Sequence, residues 1–330
     1  MYHTLKKTLF LFGFLSVSTL SLFAQIQFSD ANALALDPSE YYSAPTPSPD
    51  GNFLALSSLK YSGIQLLNLN TNELTQIDDS EAAGWGMNWA PSGSALIFRG
   101  SQLNAENRKE HAIQLFDINT RDKQRFTEWS QQAQGLPLFA TDADEAVFFE
   151  KAMTTTASKN TVMAIDIKTE KKAVNSGLSM GTVAYQFSDA SVYELSQNGA
   201  QKAVHTNANG YPILDIHTFK NQFIIIEEVG SPLLRKNLIT GAMDEIGQGE
   251  EAAISPDGKY LVFRYAMDDG HNYIYSELVL MDLATKEVLD RYSSSEIMPF
   301  SPAWKADGSG LFFSDRLNGR IYEIGVTEVK

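Results

Sequence analysis

One recurring pattern limits the fold of this chain more than any other feature. Alternating apolar residues lead to Asn or Asp, then an apolar residue and a Thr-containing turn. The copies read LLNLNT (66–71), LFDINT (115–120), AIDIKT (164–169), RKNLIT (235–240) and LMDLAT (280–285), with weaker ones at YELSQNG (193–199) and YEIGVT (322–327). Strict alternation is the period of a strand, whose successive side chains face opposite sides. The polar turn then reverses the chain into a second strand. Counted from Asn68, Asp117, Asp166, Ser196, Asn237, Asp282 and Gly325, the spacings are 49, 49, 30, 41, 45 and 43 residues.

A second signature precedes most hairpins: PSPDGNFLAL (47–56), APSGSALIF (90–98), ISPDGKYLVF (254–263) and KADGSGLFF (305–313), with a degenerate TDADEAVFF (141–149). Pro presets the backbone for a turn, Asp bonds amides just downstream, and Gly takes the left-handed conformation. Each unit thus reads strand, turn, strand, loop, strand, turn, strand. Four antiparallel strands at a period of 40–50 residues make a propeller blade. The expected fold is an all-β β-propeller of four-stranded blades, seven by hairpin count, or six if the short fourth unit merges with a neighbour. Units four and five lack the SPDG turn.

The segments AISPDGKYLVFR (253–264) and SPAWKADGSGLFFSDRLNGRIYEI (301–324) resemble the repeats of TolB-like periplasmic propellers, a WD-repeat-like class. They are also similar to the propeller half of prolyl-oligopeptidase-type enzymes. The resemblance covers nearly all of residues 45–330. It implies a protein-binding role in the cell envelope, although propellers host many activities.

The first 24 residues differ from the rest. Lys6 and Lys7 precede an apolar run from Leu9 to Phe23, and Ala24 ends it. Charge, a short apolar helix and a small residue, in that order, are the parts of a secretory signal peptide. The run is shorter than the roughly 20 residues that span a bilayer. The expected layout is a signal peptide at 1–24, an N-terminal closing segment at 25–44 and a propeller at 45–330. The mature chain is then periplasmic or secreted, with no membrane span. Unit seven lacks a convincing outer strand, and QIQFSDANALAL (25–36) alternates well enough to supply one and remove the exposed edge.

Composition narrows the function. The chain has 330 residues and no cysteine, which removes disulfides, thiolate zinc sites and Cys nucleophiles. Without residues 1–24 it carries 24 basic and 40 acidic side chains, a formal charge of −16. Such a surface repels phosphate backbones, so no nucleic-acid partner is expected. PSGSA (91–95) is a turn between strands rather than a nucleophile elbow. No H-E-x-x-H run or EF-hand loop occurs, and Asp268-Asp269-Gly270 reads as an exposed turn.

Connectivity separates two faces. The SPDG and Thr turns share one. The loops between second and third strands share the other with the connections between blades. The long loops, 99–111, 150–160 and 264–276, all fall on this second face. Variable loops on a rigid scaffold carry function. The candidate binding residues there are Trp85, Arg99, Glu150, Arg264, His271, Asp315 and Arg316, with the arginines as anchors for a carboxylate-bearing ligand. Trp129 lies in a similar junction, whereas Trp89 and Trp304 read as inner-strand core.

No catalytic residue, cofactor or metal is expected. Oligogalacturonate lyases are propellers with similar repeats and a histidine-based metal site, so His111, His205 and His271 are the metal candidates on that reading. His217, within a first strand, is expected to point elsewhere. The leading expectation is a non-catalytic platform for an envelope or secreted protein, with peptide or carbohydrate as other ligands. The alternative is a metal-dependent, carbohydrate-active lyase.

Overall fold

The computed structural model describes residues 25–329, except 132–134, 141–142, 154–157, 167–170, 175–182 and 197–200. The signal-peptide segment, 1–24, lies outside the described residues. Almost every regular element is an antiparallel strand, and the strands form seven sheets in a ring. Six sheets have four strands and one has three. We number them as blades in chain order: 43–78, 88–125, 138–174, 184–206, 213–247, 250–292 and 299–329. Among the described residues no helix is long and apolar enough to cross a membrane.

The recurring polar residue explains why each hairpin forms. Asp117 Oδ1 accepts hydrogen bonds from the Asn119 and Thr120 amides, and its carbonyl accepts from Arg121, which sits at φ 64°. Asn68, Asn237 and Asp282 repeat the same turn. In the other turn, Ser48 caps Phe53 and Ser255 caps Tyr260, while Gly51 and Gly258 take positive φ.

Blades hold one another through apolar clusters at their interfaces. Ala55, Ile64 and Leu66 of blade 1 pack on Trp89, Leu96 and Phe98 of blade 2, and comparable clusters join each later pair. Trp89 and Trp304 are core, as expected. Their indole N–H groups donate to the Thr46 and Ala253 carbonyls of the preceding blade at 2.9 Å. Strand Gln25–Ala33 lies outermost on blade 7, antiparallel to Ile321–Val329, with Phe28 buried against Val262, Leu278 and Trp304.

Two expectations are corrected here. Among the described residues, complete four-stranded blades number six, and the fourth sheet has three strands, Ala184–Ser188, Ser191–Leu195 and Gln201–Thr206. YELSQNG begins on the middle one, so the strand without a counterpart among the described residues is the first. This matches the missing SPDG turn and the 30-residue spacing. The long loops of blades 2 and 6 are also largely strand. Ala95–Leu103 pairs with Lys109–Asp117, and Tyr260–Asp268 with Tyr273–Asp282, as ribbons that project from the ring.

Candidate functional site

The first strands of blades 1, 5, 6 and 7 carry β-bulges at their loop-face ends, which re-aim side chains and strengthen twist. In blades 1, 6 and 7 the bulged residues are Ala44, Glu251 and Ser301, all at positive φ between 48° and 52°. Few residues other than Gly adopt that conformation, so neighbours must hold it. Glu227, at the end of the second strand of blade 5, accepts from the Glu251 and Ala252 amides at 2.9 and 2.6 Å. Glu251 in turn accepts from the Ser301 amide at 2.7 Å. Each carboxylate thus pins the bulge of the next blade.

Arg264 completes this chain. It is 1% exposed, with Nε 2.8 Å from Glu251 and Nη2 2.7 Å from Glu250. Its guanidinium lies 3.6 Å from the Phe300 ring centre and 4.6 Å from that of Tyr273. Burial raises the carboxyls of Glu250 and Glu251, and Arg264 opposes that shift in both. This guanidinium is committed to its own chain and is not the free anchor the sequence suggested.

His217, in the first strand of blade 5, does not point elsewhere. Its Nε2 is 3.0 Å from Glu227 and 3.9 Å from Asp215. Burial disfavours the imidazolium, but Asp215 and Glu227 outweigh it and hold the pKa up to about 9. His217 is therefore charged at neutral pH and unsuited to act as a general base. Because the folded value exceeds the ordinary 6.5, its stabilisation is full below 6.5 and is lost as pH rises through about 9. An imidazole NMR titration is expected to give a midpoint near 9, and His217→Gln to remove the matching fall in thermal stability. A midpoint near 6.5 would contradict the ion pair.

These groups share one mouth of the ring. The Tyr61 phenol of blade 1 is pushed up by burial, with Glu251 and Asp215 adding to the shift and Arg316 and Arg264 opposing it. Blades 1, 5, 6 and 7 therefore meet around it. Trp85 stands edge-on to Tyr61 at 4.7 Å and is 44% exposed.

The other candidates are more scattered. Arg99 is half-buried on the second strand of blade 2, opposite Ile113, and burial lowers its pKa. Glu150 pairs with Thr161, and its side chain lies outside the described residues. Asp315 is fully buried and accepts from the Met298 and Leu317 amides. Arg316 is exposed, with its guanidinium 5.5 Å from the Phe300 ring centre. His271 is exposed in the ribbon turn, its amide bonded to Asp269. Trp129 lies under the Arg125 guanidinium.

The metal candidates do not meet. His111 exchanges backbone hydrogen bonds with Ser130, and burial, then Arg99 and Lys109, lower its pKa. His205 pairs with Glu228 at 3.0 Å. Among the described residues no three His, Asp or Glu side chains form a metal-holding group. A histidine-based metal centre does not fit the residues brought together here.

Glu227, Glu251, Asp215 and Tyr61 are site residues that sequence reasoning missed. The signal for the first was present, since FIIIEE (223–228) ends an apolar second strand in charge, just as LIFR (96–99) and LVFR (261–264) do.

No family model matches the sequence, and a search of curated proteins finds no match. Among solved structures, the chain is similar to oligogalacturonate lyase from Vibrio parahaemolyticus (TM-score 0.61, 14% identity, covering 92% of this chain and 99% of that one). It is also similar to the Cps50 (Swd1) β-propeller domain of Myceliophteria thermophila (TM-score 0.60, 12% identity, covering 90% and 100%). A weaker likeness is to TolB from Acinetobacter baumannii (TM-score 0.46, 17% identity, covering 81% and 57%). At these identities the likeness is one of fold, a β-propeller, and the chemistry rests on the residues of this chain.

Proposed function

We propose that this chain is an exported, non-catalytic β-propeller that binds another envelope or secreted protein through its loop face. The observation that carries this reading is the distribution of exposed apolar side chains. Of twelve exposed large hydrophobic residues among those described, nine stand at the loop-face ends of strands, in the loops there or in the connections between blades. They are Leu59, Trp85 and Leu103 on blades 1 and 2, Tyr211, Leu214 and Val229 around blade 5, and Met267, Ile274 and Leu317 on blades 6 and 7. Exposed apolar groups gathered on one face mark a contact surface.

The mouth beneath them supports binding over catalysis. Glu227 and Glu251 are occupied by bulge amides, Arg264 by two carboxylates, and His217 is protonated. This set suits a rigid rim better than proton transfer. The lyase alternative draws on a fold-level likeness to oligogalacturonate lyase. Export rests on the order of residues 1–24. We further infer that strand Gln25–Ala33 closes the ring, from its pairing with the last strand of blade 7.

In a crosslinking pull-down from envelope extract, Trp85→Ala and Leu103→Glu are expected to weaken capture of the partner about tenfold or more, as truncated hot spots do. Ile239→Glu serves as the control, since Ile239 is 77% exposed on the turn face. Loss of capture with Ile239→Glu alone would mean that the working face has been misassigned.

A further inference from the structure

The projecting ribbons of blades 2 and 6 differ in one respect. In blade 2 the outer edge of the ribbon is taken, because His111 and Ser130 exchange backbone hydrogen bonds of 2.9 and 3.1 Å. A junction residue thus forms a minimal added strand. In blade 6, Ser276 stands six residues before Asp282, as His111 stands six before Asp117. The pairing Ala266↔Ser276 likewise repeats Ser101↔His111. By the alternation of an antiparallel ladder, the Ser276 N–H and C=O therefore face outward.

No isolated bridge reaches that edge among the described residues. The connection at Ser293–Ser295, where Ser293 bonds the Tyr275 hydroxyl, instead lines a groove of about 380 Å³ with Ile274 and Ser276 and with Ile297, Met298 and Leu317. Ile274 and Leu317 are 60% and 59% exposed.

We propose that this groove receives an extended segment of a partner protein, added as a strand along Ile274–Ser276 with one apolar side chain seated on Ile297, Met298 and Leu317. The occupant follows from the fold's own habit. The matching edge of blade 2 is filled by extended backbone, and the outermost strand of blade 7 comes from a distant segment. Main-chain hydrogen bonds supply affinity in such strand addition, and a pocket for alternate side chains supplies specificity. The serine hydroxyls opposite suit the polar residues of an alternating sequence. The proposal rests on the loop face being the protein-binding face.

The test is to pan phage-displayed short random peptides on the full chain. Selected peptides are expected to alternate apolar and polar residues and to slow hydrogen exchange at the Ser276 amide. They are expected to lose about tenfold in affinity with Leu317→Glu, or on N-methylation of their edge-facing amides, while Ile239→Glu has no effect. Peptides that bind around Trp85 without protecting Ser276 would overturn the groove and leave the loop face standing. Peptides lost only with Ile239→Glu would overturn both, and a failure to enrich any peptide would overturn the groove.

Discussion

Replacing Arg264 with methionine is expected to lower the melting temperature by on the order of 10 °C. The substitution keeps a long apolar stem against Phe300 and Tyr273 but leaves Glu250 and Glu251 without their counter-charge. Removing one partner of a buried ion pair costs about 3–5 kcal/mol, which in a domain of this size corresponds to a shift of that order. Glu251 also holds the Ser301 bulge of blade 7, so the loss should spread to the next blade. Adding Glu250→Gln and Glu251→Gln is expected to recover part of the stability, because no unpaired charge then remains. Thermal unfolding by circular dichroism checks both variants. A single variant within about 2 °C of the parent would show that the ion pairs are incidental.

The second large effect is expected from the N-terminal strand. A chain shortened to begin at Tyr41 loses the pairing of Gln25–Ala33 with Tyr322–Val329 and the burial of Phe28. It also loses the hydrogen bond from the Phe28 amide to Asp290 on the outer strand of the neighbouring blade 6. The last strand of blade 7 then becomes an open edge beside an apolar core, a template for association. A fall in melting temperature of several degrees, with concentration-dependent aggregation, is the expected result. An unchanged melting temperature in a monodisperse sample would mean that the strand is only a tether.

The fold was legible where local chemistry and long-range packing agree. Asp117 and Asn68 mark turns because their side chains bond amides within three residues, and that requirement is written in the local sequence. The bulges were not legible. Glu251 and Ser301 adopt positive φ because carboxylates of the preceding blade hold them, and Glu227 lies 24 residues away from its partner.

The ribbons of blades 2 and 6 read as loops because their outer halves are polar, although pairing continues through Leu103 and Asp268. Arg264 read as a ligand anchor for a related reason. Its place at a strand end was visible, but the two glutamates on the neighbouring strand that neutralise it were not. His217 was misjudged because its partner Glu227 sits on a strand without the SPDG cue. The fourth blade announced its irregularity in its spacing, while which strand has no counterpart among the described residues emerged from the register of Ser191–Leu195.

The central claim is that the loop face meets the partner. It is tested most directly by placing a photo-crosslinking residue singly at Leu103, Ile274, Leu317 and Ile239 and exposing each variant to envelope extract. One common crosslinked species is expected from the three loop-face positions and none from Ile239. A crosslinked species formed only from Ile239 would contradict it.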